Sequence, residues 1–150
     1  MLSKTINCPT PEATFELGER LGAALKGGDV VLLKGPLGAG KTLFTKGILS
    51  ALGFDTADVT SPSFTLVNRY EADLTIYHID LWRIEDPEGA SFSVGLGEIL
   101  EDEDAVVVIE WAERLGAFDF GVDPVEVEIS GDGDSPREIT VSGEIVFEGD

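Results

Sequence analysis

The clearest chemical signal in this 150-residue chain is Gly35-Pro36-Leu37-Gly38-Ala39-Gly40-Lys41-Thr42, an instance of G-x-x-x-x-G-K-[S/T]. The spacing has a physical reason. Glycines let a loop curl into a nest of N–H groups around a phosphate, where a Cβ would intrude. A helix starting near Lys41 directs its positive dipole end at the same oxygens. Lys41 then reaches the β- and γ-phosphates while the Thr42 hydroxyl ligates Mg²⁺. From average residue usage, chance supplies these four fixed positions in roughly one chain of this length in two hundred. The flanks sharpen the signal, since an apolar run ends just before the loop and an apolar-periodic helix begins at Lys41. A glycine turn that merely joins strand to helix is a poor account of all three features.

Such a loop needs a carboxylate at the end of another buried strand to position Mg²⁺ or its water. Two residues fit: Asp80 ends Thr75-Ile-Tyr-His-Ile79, and Glu110 ends Val106-Val-Val-Ile109. The expected division of labour has Asp80 holding the metal through its water and Glu110 orienting or deprotonating the attacking water. His78, the sole histidine, lies two residues from Asp80 on the same strand face. It reads first as a packed strand residue, with a place at the site as the alternative. Trp111 is open between core and a nucleotide- or partner-facing role. Cys8 has no companion ligands and reads as inert. A guanine-reading [N/T]-K-x-D segment is absent, since the only asparagines are Asn7 and Asn68 and no Thr-Lys pair leads to a suitably placed Asp. ATP is the nucleotide this leaves.

The elements that must hold these residues follow from periodicity. Thr10-Pro11-Glu12 reads as N-cap, N1 proline and acidic first turn. The helix it opens carries Phe15, Leu17, Leu21 and Leu25 and is expected to stop at Gly27-Gly28. Val30–Leu33 and Ala105–Ile109 are unbroken apolar runs, the pattern of parallel strands buried on both faces. A second helix spans 41–52, with Phe44, Ile48, Leu49 and Leu52 inward and Gly53 at its C′ position. Residues 64–70 and 74–81 form a hairpin about a 71–73 turn; 85–104 hold a short helix and loop; 125–130 and 138–147 are strands. The expected fold is a single α/β domain over residues 1–150, a three-layer P-loop NTPase whose mainly parallel central sheet is extended by antiparallel strands.

Composition bounds the setting. An apolar share of 43% and a charged share of 26% are ordinary for a globular protein. One cysteine cannot form an intramolecular disulfide. Met1–Cys8 lacks the apolar core of a signal peptide, and no run nears the roughly 18 apolar residues that span a bilayer. A cytoplasmic location is the expectation. The net charge of −19 is unevenly placed: residues 1–75 carry 7 basic and 8 acidic side chains, residues 76–150 only 3 basic and 21 acidic ones. Such a surface repels phosphate backbones and anionic membranes, which argues against direct nucleic-acid binding by the C-terminal half.

Taken together, several segments resemble the bacterial TsaE (formerly YjeE) family, from the first helix to the C-terminal strands. The carriers are the Gly35–Thr42 loop, Thr60-Ser-Pro-Ser-Phe-Thr-Leu-Val67, Tyr77-His-Ile-Asp-Leu-Trp-Arg83, Asp86-Pro87-Glu88 and Val108-Ile-Glu-Trp111. The resemblance implies an ATPase of the machinery that makes N6-threonylcarbamoyladenosine at position 37 of tRNA, working with TsaD and TsaB subunits. It implies that Thr42 and Asp80 serve Mg²⁺ and that Glu110, also near the metal, is the catalytic carboxylate. It further implies a switch-like loop at Ser61–Thr65, adenine beside Pro11, and Arg137 near the nucleotide. Gly35, Leu37, Gly38, Ala39, Gly40, Lys41, Thr42 and Leu43 would line the phosphates. Pro36, Leu43, Ser63, Trp82 and Ala112 depart from the family pattern, yet no required hydroxyl or carboxylate is lost.

Two other functions compete: a small-molecule kinase, and a nucleotide-gated binding module with negligible turnover. Kinases of this fold use a lid of arginines, whereas the five here (Arg20, Arg69, Arg83, Arg114, Arg137) are scattered along the chain. The acidic half yields a prediction of its own. Self-repulsion among its 21 carboxylates should make the melting temperature climb from low salt to molar KCl. A flat melting temperature, with partner binding that weakens steeply as salt rises, would assign that charge to recognition.

Overall fold

A computed structural model describes residues 2–36, 39–59, 66–82, 89, 95–116, 118–131 and 134–143. Among the described residues seven strands form one sheet: β1 (Leu2–Cys8), β2 (Val30–Lys34), β3 (Val67–Glu71), β4 (Thr75–Asp80), β5 (Ala105–Glu110), β6 (Val125–Ser130) and β7 (Arg137–Gly143). Their order is β1-β7-β6-β2-β5-β4-β3. The four central strands pair in parallel; β7 and β1 extend one side antiparallel, and β3 the other. The expected parallel centre with antiparallel extensions is therefore the observed sheet.

The central strands are parallel because both of their faces are covered. Val31 and Leu33 of β2, with Val106 and Val108 of β5, pack in one apolar cluster beneath helices α1 (Pro11–Ala24) and α2 (Lys41–Ala51). Val30 and Leu32, with Val107 and Ile109, pack in a second cluster on the opposite face. Among the described residues the short helix α3 (Leu96–Leu100) contributes Leu96 to that cover, a 3₁₀ turn over Ala112–Leu115 contributes Ala112 and Leu115, and Phe118 and Phe120 pack against it. Unbroken β-branched runs suit such strands, since neither face offers a polar position. Among the described residues no helix is long and apolar enough to cross a membrane.

Some boundaries move. Thr10 caps α1 as expected, its hydroxyl accepting from Ala13 N at 3.1 Å. The helix ends at Ala24, however, before Gly27-Gly28. Asp29 explains the earlier stop: its carboxylate accepts from both Lys26 N (2.8 Å) and Lys26 Nζ (2.9 Å), tying off the turn that leads into β2. β1, which periodicity does not single out, is an edge strand that contributes Ile6 and Cys8 to the core. The strand expected over 138–147 runs Arg137–Gly143, with 144–150 outside the described residues, and the hairpin strand expected from 64 is described from Val67.

α1 and α2 pack unusually closely, and glycine permits it. A Cβ on Gly22 would lie 2.7 Å from Ile48 O, and one on Gly47 would fall on the Phe15 carbonyl oxygen. Neither obstacle is a flexible side chain, so the helices could accept the atom only by separating. Gly47→Ala should therefore cost about 1–2 kcal/mol in denaturant unfolding, through overpacking that outweighs its helix propensity gain. A gain of about 1 kcal/mol, the propensity effect alone, would contradict this account of the interface.

Candidate functional site

The loop after β2 leaves the sheet at its carboxyl edge. Gly35 has φ +152°, and a Cβ there would lie 2.5 Å from Ile129 O of β6. Gly40, the N-cap of α2, has φ +108° in the left-handed region that glycine enters without steric cost. No side chain caps α2, so the N–H groups of its first turn remain directed toward the loop. Leu37 and Gly38 lie outside the described residues.

Strand register brings the two carboxylates alongside this loop. Asp80 and Glu110 are register partners on β4 and β5, and Glu110 is also the partner of Leu33 on β2. Asp80, Glu110 and His78 share the sheet face that carries Ile76, Val106 and Val108, the face beneath α1 and α2. Glu110 and Asp80 are each 3% exposed and Lys41 is 5% exposed. Charges buried this deeply require partners. Asp80 Oδ1 accepts from Trp82 N at 2.9 Å. Glu110 Oε2 meets His78 Nε2 at 2.5 Å and accepts from the Thr42 hydroxyl at 3.4 Å.

Lys41 folds back over its own loop. Its ammonium donates to Gly35 O at 2.6 Å and to Pro36 O at 3.3 Å, and lies 3.9 Å from the centroid of the Trp111 ring. Burial lowers the pKa of this lysine, and the charges of Glu110, Glu113 and Asp80 offset the effect in part. Trp111 has φ +59°, a conformation that costs a non-glycine residue about 1–3 kcal/mol. The strain turns the chain sharply after Glu110 and sets the indole beneath the Lys41 ammonium, with Trp82 packed against it at 4.7 Å between ring centroids.

Beside the loop is a cavity of about 140 Å³. Its wall includes Cys8, Pro11 and Thr14, then Leu43 of α2, and Arg137 at the start of β7, with Ala39 and Gly40 forming the loop side. A space of this size accepts one aromatic ring system. Arg137 Nε donates to Ala39 O at 2.8 Å, tying β7 to the loop after β2 across the sequence. Thr14 Oγ1 is buried without a conventional hydrogen bond among the described residues. The Cys8 thiol is also buried, and burial raises its pKa.

Of the residues singled out in the sequence, Lys41, Thr42, Asp80 and Glu110 converge at the sheet edge, and Pro11, Leu43 and Arg137 line the adjoining cavity. The 61–65 loop, Arg83 and the 86–88 segment lie outside the described residues. Sequence reasoning ranked His78 as a packed residue; it is packed, and it is also bonded to Glu110. Its even spacing from Asp80 was the available signal. Thr14 carried none, being one polar residue inside an amphipathic helix.

Known proteins share this arrangement of elements. The family model described as threonylcarbamoyl adenosine biosynthesis protein TsaE matches residues 8–139. The tRNA threonylcarbamoyladenosine biosynthesis protein TsaE of Bacillus subtilis (strain 168) is 38% identical over 138 residues, 91% of this chain and 82% of its own. That of Treponema pallidum (strain Nichols) is 40% identical over 129 residues, 86% of this chain and 93% of its own. The Nostoc sp. protein of the same name is 42% identical over 106 residues, a match that covers 69% of this chain but 65% of the relative's length. The crystal structure of Bacillus subtilis YdiB is similar with a TM-score of 0.71 and 32% identity, covering 95% of this chain and 86% of the other. The chain belongs to the TsaE family of tRNA threonylcarbamoyladenosine biosynthesis proteins.

Proposed function

We propose that this protein is a Mg²⁺-dependent ATPase of the P-loop NTPase fold. On this reading it acts in the cytoplasm on a TsaD–TsaB-like complex during N6-threonylcarbamoyladenosine modification of tRNA. The observation that carries the proposal is the meeting of Lys41, Thr42, Asp80 and Glu110 at the carboxyl ends of β2, β4 and β5. Ligands of open α/β sheets bind at this edge. The positive-φ glycines and the uncapped start of α2 suit a phosphate, and the cavity between Pro11 and Arg137 suits the base.

The donor set fits Mg²⁺, a hard cation usually held by one or two carboxylates together with substrate phosphates. Among the described residues no cluster of three or more His, Cys, Asp and Glu is arranged to hold a metal. Thr42, Asp80 and Glu110 would therefore share the ion with ATP itself. Bound there, Mg²⁺ supplies charge neutralisation for the phosphates.

The side chains then have separable tasks. Lys41, already short of solvation, gains a full counter-charge when it exchanges the Gly35 and Pro36 carbonyls for phosphate oxygens. Glu110 accepts a proton from, or orients, the attacking water. Asp80 holds the metal side of the site, its Oδ1 fixed by the Trp82 N–H. Among the described arginines, Arg137 lines the cavity and Arg114 lies 5.8 Å from the Trp111 ring, a pair that forms no arginine-rich lid, which favours hydrolysis over a lidded kinase.

Three variants test the assignment. Lys41→Ala should abolish ATP binding in calorimetry, and unchanged affinity would refute the phosphate-loop assignment. Glu110→Ala should keep nucleotide affinity while hydrolysis falls about 100-fold, the scale of a lost general base. Asp80→Ala should instead weaken Mg²⁺-dependent binding. An exchange of the last two phenotypes would reverse the roles of the carboxylates.

A further inference from the structure

Glu110 is anchored unevenly, and the asymmetry bears on how a carboxylate could handle water. Both of its hydrogen bonds fall on Oε2; Oε1 has none among the described residues. The Thr42 bond is long at 3.4 Å, near the limit of what counts as a hydrogen bond. The firm anchor is His78, whose Nε2 lies 2.5 Å from Oε2 and whose side chain is wholly buried. The other ring nitrogen, Nδ1, is buried and has no partner among the described residues. An imidazole that served packing alone would bring two polar atoms into an apolar cluster of valines and isoleucines at a net cost. One of those atoms is instead spent on a single bond, and that bond reaches the carboxylate at the end of the adjacent strand.

We propose that His78 is a positioning residue for Glu110: its Nε2–H donates to Oε2, fixes the carboxylate rotamer, and leaves Oε1 as the oxygen that handles the attacking water. An ionised carboxylate only accepts, so in this contact the imidazole must be the donor. The register supports the geometry. His78 lies beside Val108 on the parallel neighbour, two residues before Asp80 and Glu110, and on their face of the sheet. The imidazole thus reaches Glu110 from the buried interior of β4, whereas Thr42 belongs to the first turn of α2. The inference rests on the ATPase reading for its consequence, but the contact can be tested without it.

His78 is the only histidine in the chain, so its ring nitrogens can be assigned in a ¹⁵N spectrum without ambiguity. In the wild-type protein the spectrum should show the Nε2-protonated ring, with a slowly exchanging Nε2 proton that shifts or disappears in Glu110→Ala. A ring protonated on Nδ1 alone, or one indifferent to Glu110→Ala, would overturn the proposal. A kinetic arm examines the consequence. His78→Leu should lower single-turnover hydrolysis of bound ATP by about 10- to 100-fold, the range for a supporting hydrogen bond at a site of this kind, with the Kd for ATP within about twofold. His78→Gln, which can place a donor near the same point, should recover most of the rate. In the Glu110→Ala background, His78→Leu should add little, because the two act as a unit. Full activity in a folded His78→Leu protein would refute the positioning role. If wild-type protein binds no ATP, the ATPase reading fails, while the ring spectrum still decides the contact.

Discussion

Three charged side chains, Lys41, Asp80 and Glu110, are withdrawn from water at the carboxyl end of an otherwise apolar parallel sheet. Each must recover locally what it loses in hydration. Lys41 does so through two loop carbonyls and the face of Trp111. Asp80 does so through a backbone N–H, and Glu110 through an imidazole and a hydroxyl. The compensation for Lys41 is incomplete, since burial still lowers its pKa. On the proposed reading, a phosphate would complete that compensation. The strained Trp111 backbone belongs to the same economy, because relaxing it would move the indole away from the ammonium.

Everything around the site serves to keep those groups in register. Parallel pairing of β2, β4 and β5 sets Asp80 beside Glu110 and both beside the start of the loop. Glycines at 22 and 47 draw α1 against α2, so that Pro11 and Leu43 wall one cavity. Arg137 joins the antiparallel side of the sheet to the loop through Ala39 O, which gives β7 a reason to be there beyond covering an edge. The cavity and the loop after β2 thus share Ala39 and Gly40.

Much of this was legible from residue order. The parallel strands announced themselves because valine and isoleucine runs without polar interruption suit only strands covered on both faces. The turn after β2 was legible because a tight turn at positive φ demands glycine, as at Gly35 and Gly40, and Thr10-Pro11 because capping chemistry is local. What escaped had non-local causes. β1 is recognisable only from its partner β7, which pairs Ile6 with Ile139, 133 residues away in sequence. The Glu110–His78 bond depends on two strands being neighbours, which no spacing within either strand encodes. The early end of α1 turned on one aspartate, Asp29, outcompeting the pair of glycines as a terminator.

On the proposed reading one nucleotide occupies both the loop and the adjoining cavity, with the buried charges facing its phosphates. A crystal structure with Mg²⁺ and a non-hydrolysable ATP analogue tests this most directly. The account predicts the β-phosphate within the Gly35–Thr42 loop and the base between Pro11 and Arg137. It also predicts that Lys41 Nζ has left the Gly35 and Pro36 carbonyls for phosphate oxygen. A nucleotide bound elsewhere, or one that leaves Lys41 on those carbonyls, would contradict it.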